Sequence, residues 1–317
     1  MNAPAGPWSR HPLALALLDG LRRSPRSVPP KFFYDAAGSA LFDRICELPE
    51  YYPTRTEIAL LARHGSEMAE CIGTGADLVE YGAGSLRKVR LLLDALDRPA
   101  RFLPIDLSAE HLLQHARLLA ADHPRLVVEP LVADFSADLV LPPLPADARR
   151  RVGFFPGSSI GNFTADEALG FLQRAAVALA GGGLLIGVDL VKDPAVLHRA
   201  YNDAAGVTEA FNKNLLARAN RELGCGFDLA AFNHYAFYDP REQRIEMHLV
   251  SRRRQEVVVC GERFVFDEGQ TLHTENSCKY TVEGFQRLAR GAGFEPRAVW
   301  TDEARLFSVH WLSAPQR

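Results

Sequence analysis

The sequence lacks the features that would place it in a membrane, secreted or nucleic-acid-binding class. No apolar run reaches the roughly 20 residues that a membrane-spanning helix needs. The apolar stretch at residues 12–18 is short, is followed by Asp19 and has no recognisable cleavage site, so we predict no signal peptide. With 36 basic and 39 acidic residues, the net charge of −3 argues against a protein whose main task is to bind nucleic acid or an anionic membrane.

Cysteine is also scarce. The five cysteines are dispersed along 317 residues with no closely spaced pair. This pattern favours reduced thiols over a disulfide framework or a zinc site, and we therefore expect a cytoplasmic protein. We predict no metal site: His111 and His115 lie four residues apart on a predicted helix, but Leu112 stands where the metalloprotease motif requires glutamate.

The order of predicted elements indicates an α/β protein with two domains, for which 317 residues are sufficient. Strand-length apolar runs alternate with helical periods at residues 70–193 and 281–317, which predicts a doubly wound parallel sheet. The alternation is interrupted by one long helical segment at 195–223 and by sheet-like stretches after it. We assign residues 1–69 and 194–280 to a second, α+β domain.

Local signals refine the predicted sheet domain. Ser85 is expected to cap the helix after the first strand, and Thr164 with Glu167 is expected to form a capping box. The glycine triplet at 181–183 ends the helix that this box begins. The predicted strands lie at residues 77–81, 101–105, 126–132, 152–155 and 184–190.

A glycine loop, Glu80-Tyr-Gly82-Ala-Gly84, follows the first predicted strand and precedes a helix. Glycine lets the backbone approach a ligand closely, and the helix N-terminus favours negative charge, so this is a nucleotide-type site. A nicotinamide site has a third glycine where this chain has Arg87, which disfavours a dehydrogenase.

Acidic residues at the ends of three successive strands favour a different ligand. Besides Glu80, Asp106 ends the second strand and Asp134 the third. Carboxylates suit S-adenosylmethionine, which has a cationic amino group, a ribose diol and an adenine amine, and has no phosphate. The alternative for each acid alone is a solvated strand end. Lys88 is either a solvated helix residue or a partner for the methionyl carboxylate.

Seven segments spread over both predicted domains resemble one enzyme family. They are Pro29-Pro-Lys-Phe-Phe-Tyr34-Asp35, Leu48-Pro-Glu-Tyr51-Tyr52-Pro-Thr-Arg55, Gly157-Ser-Ser-Ile-Gly-Asn162-Phe, Asp189-Leu-Val-Lys192-Asp193, Ala200-Tyr201-Asn202-Asp203, Arg244-Ile-Glu-Met247 and Thr274-Glu275-Asn-Ser277-Cys-Lys279. Together they resemble the histidine-specific Nα-methyltransferases, which form hercynine, the trimethylated histidine of the ergothioneine pathway.

The resemblance implies a class I methyltransferase sheet, which is Rossmann-like, and a substrate-binding role for the second domain. It implies L-histidine as the small-molecule substrate and S-adenosyl-L-methionine as the cofactor. We expect no nucleic-acid or membrane partner, and a monomer. The implied cofactor residues, with Gly84 added from the glycine loop itself, are Gly82, Gly84, Lys88, Asp106, Asp134 and Phe135.

The same resemblance assigns the substrate residues. Tyr51 and Asn162 are the implied catalytic pair, and with Tyr201 they hold the amino-acid backbone of histidine. An asparagine amide offers an acceptor for the substrate amine, while a tyrosine hydroxyl suits the carboxylate. The residues implied to surround the imidazole are Glu275, Ser277, Tyr34 and Met247.

Glu275 and Ser277 are two residues apart, so on an extended segment both side chains project from one face. A carboxylate and a hydroxyl there suit the two imidazole nitrogens, one of which donates while the other accepts. On spacing alone, the alternative is a surface strand with alternating polar residues.

Other functions stay open at this point. The same scaffold with a different amino acid or small amine as substrate is the main alternative, and Met247, His273 and Asn276 bear on it. A catalytically silent protein of this fold that binds the cofactor or a partner is a second, which the joint presence of Asn162, Tyr51 and Glu275 disfavours. A dehydrogenase comes last.

Overall fold

The structure is a computed structural model that describes Trp8 and residues 10–316. The α-helices are α1 (Pro12–Arg22), α2 (Ala36–Glu47), α3 (Tyr52–Ile72), α4 (Arg87–Ala95), α5 (Ala109–Asp122), α6 (Ala165–Ala178), α7 (Pro194–Tyr201), α8 (Val207–Leu223) and α9 (Val282–Gly291). The strands are β1 (Arg26–Ser27), β2 (Ala76–Tyr81), β3 (Arg101–Asp106), β4 (Val127–Val128), β5 (Leu131–Val132), β6 (Arg150–Phe155), β7 (Gly183–Asp189), β8 (Phe232–Asp239), β9 (Arg244–Ser251), β10 (Gln255–Val259), β11 (Glu262–Phe266), β12 (Thr271–Cys278), β13 (Glu295–Thr301) and β14 (Phe307–Ser313). Within the described part of the chain, no helix combines the length and the apolar character needed to cross a membrane.

The chain divides into two compact units. The small unit contains Met1–Tyr51 and Asp193–Ser277, and the large unit contains Tyr52–Lys192 and Cys278–Arg317. The first boundary differs from the predicted one at residues 69 and 70 because α3 belongs to the large unit. Leu60, Leu61 and Met68 of α3 are buried in the apolar core of that unit.

The large unit is built on one twisted sheet with the strand order β13-β14-β7-β6-β2-β3-β4, and β5 also pairs with β3. Strands β7, β6, β2, β3 and β4 run parallel, while β14 runs antiparallel to both β7 and β13. The predicted doubly wound sheet is therefore confirmed. The antiparallel hairpin at one edge distinguishes it from an all-parallel nicotinamide-binding sheet and fits the class I methyltransferase fold that the sequence predicted.

The core of the large unit lies on both faces of this sheet. Every residue of β2 is buried, as expected for a central strand of a parallel sheet. Successive side chains alternate between the faces, so that Leu78 and Phe102 lie in one apolar layer while Val79 and Leu103 lie in the other. Burial of each such large side chain contributes roughly 1.5–3 kcal/mol to the stability of the sheet.

Two predicted helix starts have different outcomes. Thr164 caps α6, and the reciprocal bonds between Thr164 and Glu167 form the predicted capping box. The prediction for Ser85 is wrong, because α4 begins at Arg87 behind Leu86, which has a left-handed backbone (φ 56°) and makes no side-chain capping bond. The helix therefore begins one residue later than its sequence suggested.

Three predicted elements are divided in the structure. The strand predicted at 126–132 consists of the short strands β4 and β5. The helix predicted at 195–223 is interrupted before Gly206, whose φ of 70° precedes α8. The last of the predicted sheet-like stretches, at residues 256–266, is the hairpin β10–β11, which turns at Cys260 and Gly261, both with positive φ.

The small unit contains a four-stranded sheet with the order β1-β12-β9-β8 and the separate β10–β11 hairpin. Strands β8 and β9 form an antiparallel pair in regular register from Phe232 opposite Ser251 to Asp239 opposite Arg244. Along β9 the alternate residues Ile245, Met247 and Leu249 are buried. The sheet therefore presents one apolar side to the core of the unit. Of the residues predicted to surround an imidazole, β9 carries Met247 and β12 carries Glu275 and Ser277.

Candidate active site

The glycine loop of the large unit lies at the point where the sheet order reverses, because β2 pairs with β3 on one side and β6 on the other. Ligands of open α/β sheets bind at such a point, beyond the carboxyl ends of the strands. Gly82 has a φ of 70°, and a Cβ there would lie 3.3 Å from Cε1 of Phe135. Gly84 has a φ of 48°, and among the described residues other than its chain neighbours no atom lies within 4 Å of the equivalent Cβ position. The predicted residues Gly82, Gly84 and Phe135 are therefore brought together around an open backbone segment.

The two predicted aspartates are fixed by local donors. Asp106 Oδ2 accepts a 3.2 Å hydrogen bond from the Gly84 amide, and its Oδ1 accepts one of 2.9 Å from the Ser108 amide. Asp134 Oδ1 accepts from the Ser136 amide at 2.9 Å and from its hydroxyl at 2.5 Å. Both aspartates are partly buried, so neither is the freely solvated strand end of the alternative interpretation.

Lys88 is paired with a carboxylate that the sequence did not reveal. Its ammonium lies 2.6 Å from Oε2 of Glu57, whose side chain is fully buried on α3. Both Glu57 oxygens also accept from the Gly157 amide, at 3.1 and 2.8 Å. A Cβ on Gly187 would lie 2.0 Å from Glu57 Oε1, so glycine is required beside this carboxylate. The solvated alternative for Lys88 is wrong, since Lys88 links the helix after the glycine loop to the loop after β6.

Glu80, the acid that precedes the glycine loop, has an unusual environment. Its side chain is 1% exposed, and among the described residues no group hydrogen-bonds its Oε2. Burial raises the pKa of Glu80 well above its ordinary value, against the attraction of the Lys88 ammonium. A buried acceptor without a partner at this position is suited to a ligand with donor groups.

Asn162 ends the loop that follows β6. Gly157 and Ser158 both have positive φ, and a Cβ on Gly161 would lie 2.8 Å from the carbonyl oxygen of Cys278. The chain therefore needs glycine at 161 to pass close to the backbone of Cys278, which belongs to the same unit. Asn162 itself is partly buried at the end of a short 3₁₀ turn.

A buried ionic network supports this loop. Asp189, at the end of β7, accepts from the Tyr52 hydroxyl at 2.9 and 2.7 Å and pairs with Lys192 at 2.6 Å and with Lys279 at 2.8 Å. The amide of Asp189 donates to the Ser158 hydroxyl at 2.9 Å. Burial by itself raises the pKa of Asp189, but Lys279 and Lys192 more than offset it and hold the pKa below its ordinary value. Burial lowers the pKa of Lys192 to about 8.

The tyrosines predicted to bind substrate lie in one aromatic cluster of the small unit. Tyr34 packs edge-on against Phe42 and Phe211, with ring centroids 5.7 and 5.5 Å away. Tyr51 lies 6.2 Å from Phe42 and 6.4 Å from Tyr201 by the same measure. Burial raises the pKa of Tyr51 well above its ordinary value, and Tyr201 adds to the effect. The Tyr51 hydroxyl therefore stays neutral.

Strand β12 contributes the predicted imidazole-binding pair. Glu275 and Ser277 are 9% and 5% exposed, so the surface-strand alternative is wrong. The Tyr201 hydroxyl donates to Oγ of Ser277 at 2.7 Å, although 76 residues separate them. The negative charge of Glu275 contributes to the raised pKa of Tyr51. Met247 on β9 is 1% exposed, and its carbonyl oxygen lies 3.0 Å from the Thr274 hydroxyl oxygen.

A further polar cluster of the small unit consists of Glu246, His248 and His273, whose nearest ligand atoms lie within 4.8 Å of one another. Arg244 donates to Glu246 Oε1 at 2.9 and 2.5 Å, and Glu246 Oε2 lies 2.9 Å from Nε2 of His248. The two imidazoles are stacked with 18° between their planes.

The sequence did not identify Glu57 as a functional candidate, and it gave no role to Tyr52, Asp189 or Lys279. The one available signal was a charged residue at the end of an apolar strand, as at Asp189. Within the described residues no disulfide joins any of the five cysteines, in agreement with the prediction of reduced thiols.

A family model and curated relatives show the family to which the chain belongs. A family model described as "Histidine-specific methyltransferase, SAM-dependent" matches residues 13–314. The chain is 43% identical over 296 residues to the histidine N-alpha-methyltransferase of Mycolicibacterium smegmatis, an alignment that covers 92% of this chain and 91% of that protein. It is 33% identical over 297 residues to ergothioneine biosynthesis protein 1 of Neurospora crassa, over 87% of this chain and 32% of that protein. Among solved structures, the CcbJ methyltransferase from Streptomyces caelestis aligns at 16% identity with a TM-score of 0.46, over 80% of this chain and 95% of that chain.

Proposed function

Because this chain belongs to the family of histidine-specific, S-adenosylmethionine-dependent methyltransferases, we propose that it trimethylates the α-amino group of L-histidine to give hercynine, a step of ergothioneine biosynthesis. The observation that carries the proposal is the family match over residues 13–314, which includes the glycine loop of the large unit and the buried pair Glu275 and Ser277 of the small unit.

The large unit supplies the residues for the cofactor. S-adenosylmethionine, when bound, supplies an electrophilic methyl group on a sulfonium. The residues at the sheet's reversal point fit this molecule: the unpartnered Glu80 Oε2 offers an acceptor for a donor group, and Lys88 offers a cation for a carboxylate. We assign cofactor binding to Gly82, Gly84, Lys88, Asp106, Asp134 and Phe135.

The small unit supplies most of the substrate residues. We assign the backbone of histidine to Tyr51 and Tyr201 together with Asn162 of the large unit. Glu275 accepts a hydrogen bond from one imidazole nitrogen, and the Ser277 hydroxyl serves the other. Tyr34 and Met247 pack beside the ring.

These residues contribute to the reaction by positioning the reactants. The attacking amine needs a free lone pair and an approach in line with the departing bond, and holding such a geometry lowers the barrier without covalent help from the protein. The Asn162 amide oxygen accepts a hydrogen bond from the amine N–H. This bond fixes the direction of the lone pair on the amine nitrogen. Neutral Tyr51 adds a hydroxyl, and its ring face tolerates the growing positive charge on nitrogen.

Lys88→Met tests the cofactor assignment. We expect the Kd for S-adenosylmethionine to rise by at least about tenfold, because a charge-assisted hydrogen bond to the methionyl carboxylate is lost. In this variant the buried Glu57 carboxylate has lost its ion pair with Lys88, and it also repels the methionyl carboxylate. Titration calorimetry measures the change, and the double variant Glu57→Gln/Lys88→Met should regain part of the affinity. Native affinity in Lys88→Met contradicts the assignment.

The activity should also depend on pH. The substrate α-amino group is mostly protonated at neutral pH, and only its neutral form attacks, so kcat/KM for histidine should rise steadily from pH 6 to pH 9. Tyr51 adds no step to this profile, because its raised pKa keeps it protonated throughout. Initial rates at saturating cofactor measure the profile. A flat profile over this interval would rule out rate-relevant deprotonation.

The decisive experiment presents the protein with S-adenosylmethionine and a mixture of the twenty amino acids, followed by mass spectrometry. We expect histidine to gain three methyl groups. Methylation of another amino acid, or of a small amine in a second mixture, would replace the proposal with the alternative of the same reaction on a different substrate. We further propose that the protein acts as a monomer in the cytoplasm without a nucleic-acid partner, in keeping with its charge balance and its few, dispersed cysteines.

A further inference from the structure

The small unit contains a chain of buried hydrogen bonds centred on Asn212 of α8, whose side chain is fully buried. We propose that Asn212 is a positioning residue for histidine recognition: it fixes α7, which carries Tyr201, and β12, which carries Glu275, relative to β9. This inference rests on the proposed function, because it concerns the residues assigned to histidine.

The orientation of the Asn212 amide is determined by a backbone carbonyl. Nδ2 lies 3.1 Å from the carbonyl oxygen of His248 on β9, and a carbonyl only accepts hydrogen bonds. The group facing it is therefore the NH₂ group. Its second hydrogen is donated to Nδ1 of His234, 2.9 Å away on β8.

This orientation also determines the tautomer of His234. Since Nδ1 accepts from Asn212, the ring hydrogen is on Nε2, which lies 2.8 Å from the carbonyl oxygen of Tyr201. That carbonyl also only accepts, so the two assignments agree. Burial lowers the pKa of His234, which favours the same neutral form. Asn212 thus holds the end of α7 through one imidazole.

The other side of Asn212 reaches β12. The Thr274 hydroxyl, in a side chain that is 1% exposed, lies 2.7 Å from Asn212 Oδ1 and 3.0 Å from the carbonyl oxygen of Met247. Thr274 immediately precedes Glu275. The amide of Asn212 therefore uses its donors toward β9 and β8 and its acceptor toward β12, so that the buried amide is satisfied on both sides.

A satisfied buried network of this kind admits one arrangement of its elements, because any shift leaves a buried donor or acceptor without a partner. The residues assigned to histidine, Tyr201 and Glu275, lie one step beyond its two ends. Loss of the network should therefore weaken histidine binding more than cofactor binding, because the cofactor residues belong to the large unit.

The test compares two variants at Thr274. Thr274→Val keeps the shape and removes the hydroxyl, whereas Thr274→Ser keeps the hydroxyl. We expect Thr274→Val to raise KM for histidine at least about fivefold with kcat changed less, and Thr274→Ser to lie within twofold of native. Asn212→Asp removes both donors in the same shape and should raise KM at least about tenfold. Calorimetric binding of histidine to each variant, saturated with S-adenosylhomocysteine, gives a readout independent of turnover.

The Kd for S-adenosylhomocysteine should stay within twofold of native in each variant. A native KM for histidine in Thr274→Val overturns the inference, as does an equal loss of cofactor and histidine affinity. If Asn212→Asp does not fold, the Thr274 pair decides. If the native protein methylates histidine while the variants behave as native, the inference alone fails. If the native protein does not act on histidine, the proposed function fails, and the inference fails with it.

Discussion

Replacing Glu275 with alanine should lower kcat/KM for histidine by at least about 100-fold while the Kd for S-adenosylmethionine stays within twofold of native. Glu275 is 9% exposed on β12, and its charge contributes to the raised pKa of Tyr51 in the neighbouring tyrosine cluster. Removing a hydrogen bond to a substrate N–H lowers kcat/KM far more than removing a methylene-sized contact does, because a buried polar group is left without a partner. Steady-state rates with histidine, and calorimetry with the cofactor, measure the two quantities.

Two further variants sharpen this result. Glu275→Gln keeps the shape and an acceptor but removes the charge, so it should retain more activity than Glu275→Ala. Glu268→Ala changes an exposed glutamate of the same unit and should behave as native. If Glu275→Ala loses histidine activity and cofactor affinity in the same proportion, the residue supports the fold and the assigned role is wrong.

The sheet of the large unit was predictable because its signals are local. Strand β2 is a continuous buried segment, and the Thr164–Glu167 capping box is contained within four residues. Helix α3 was not predicted, since its first turns bury the polar residues Thr54, Thr56 and Glu57, which break the apolar period. Their burial depends on residues that are distant in the sequence, and local periodicity does not show which residues those are.

The candidate site divides in the same way. The glycine loop and the aspartates follow strand ends, so their proximity could be inferred from topology before any contact was known. The pairs that fix the functional side chains join residues far apart in sequence. Lys88 with Glu57 and Tyr201 with Ser277 are examples, and their geometry is set only when separate elements pack. The family resemblance named the substrate residues without naming the residues that hold them.

The largest effect on stability is expected at Asp189. Replacing it with asparagine removes the anion that Lys192 and Lys279 face, and the side chains of these lysines are only 6% and 1% exposed. Breaking a buried ion pair from one side costs about 3–5 kcal/mol, so the free energy of unfolding should fall by that order. Trp300 and Trp311 both belong to the large unit, and their fluorescence during urea unfolding reports the change.

The loss should depend on pH with a definite sign. The folded pKa of Asp189 is below its unfolded value of about 3.9, so its contribution is complete above that pH and disappears as the pH falls through the folded pKa. The difference in the free energy of unfolding between native protein and Asp189→Asn should therefore be largest near pH 7 and shrink below pH 4.

Two variants serve as controls. Asp138→Asn, at a side chain that is 99% exposed, should change the free energy of unfolding little at any pH. The double variant Asp189→Asn/Lys192→Met should recover part of the stability because it removes one of the two buried cations. A deficit that is the same at pH 7 and pH 3 would mean that the Asp189 side chain acts through its shape and not through its charge.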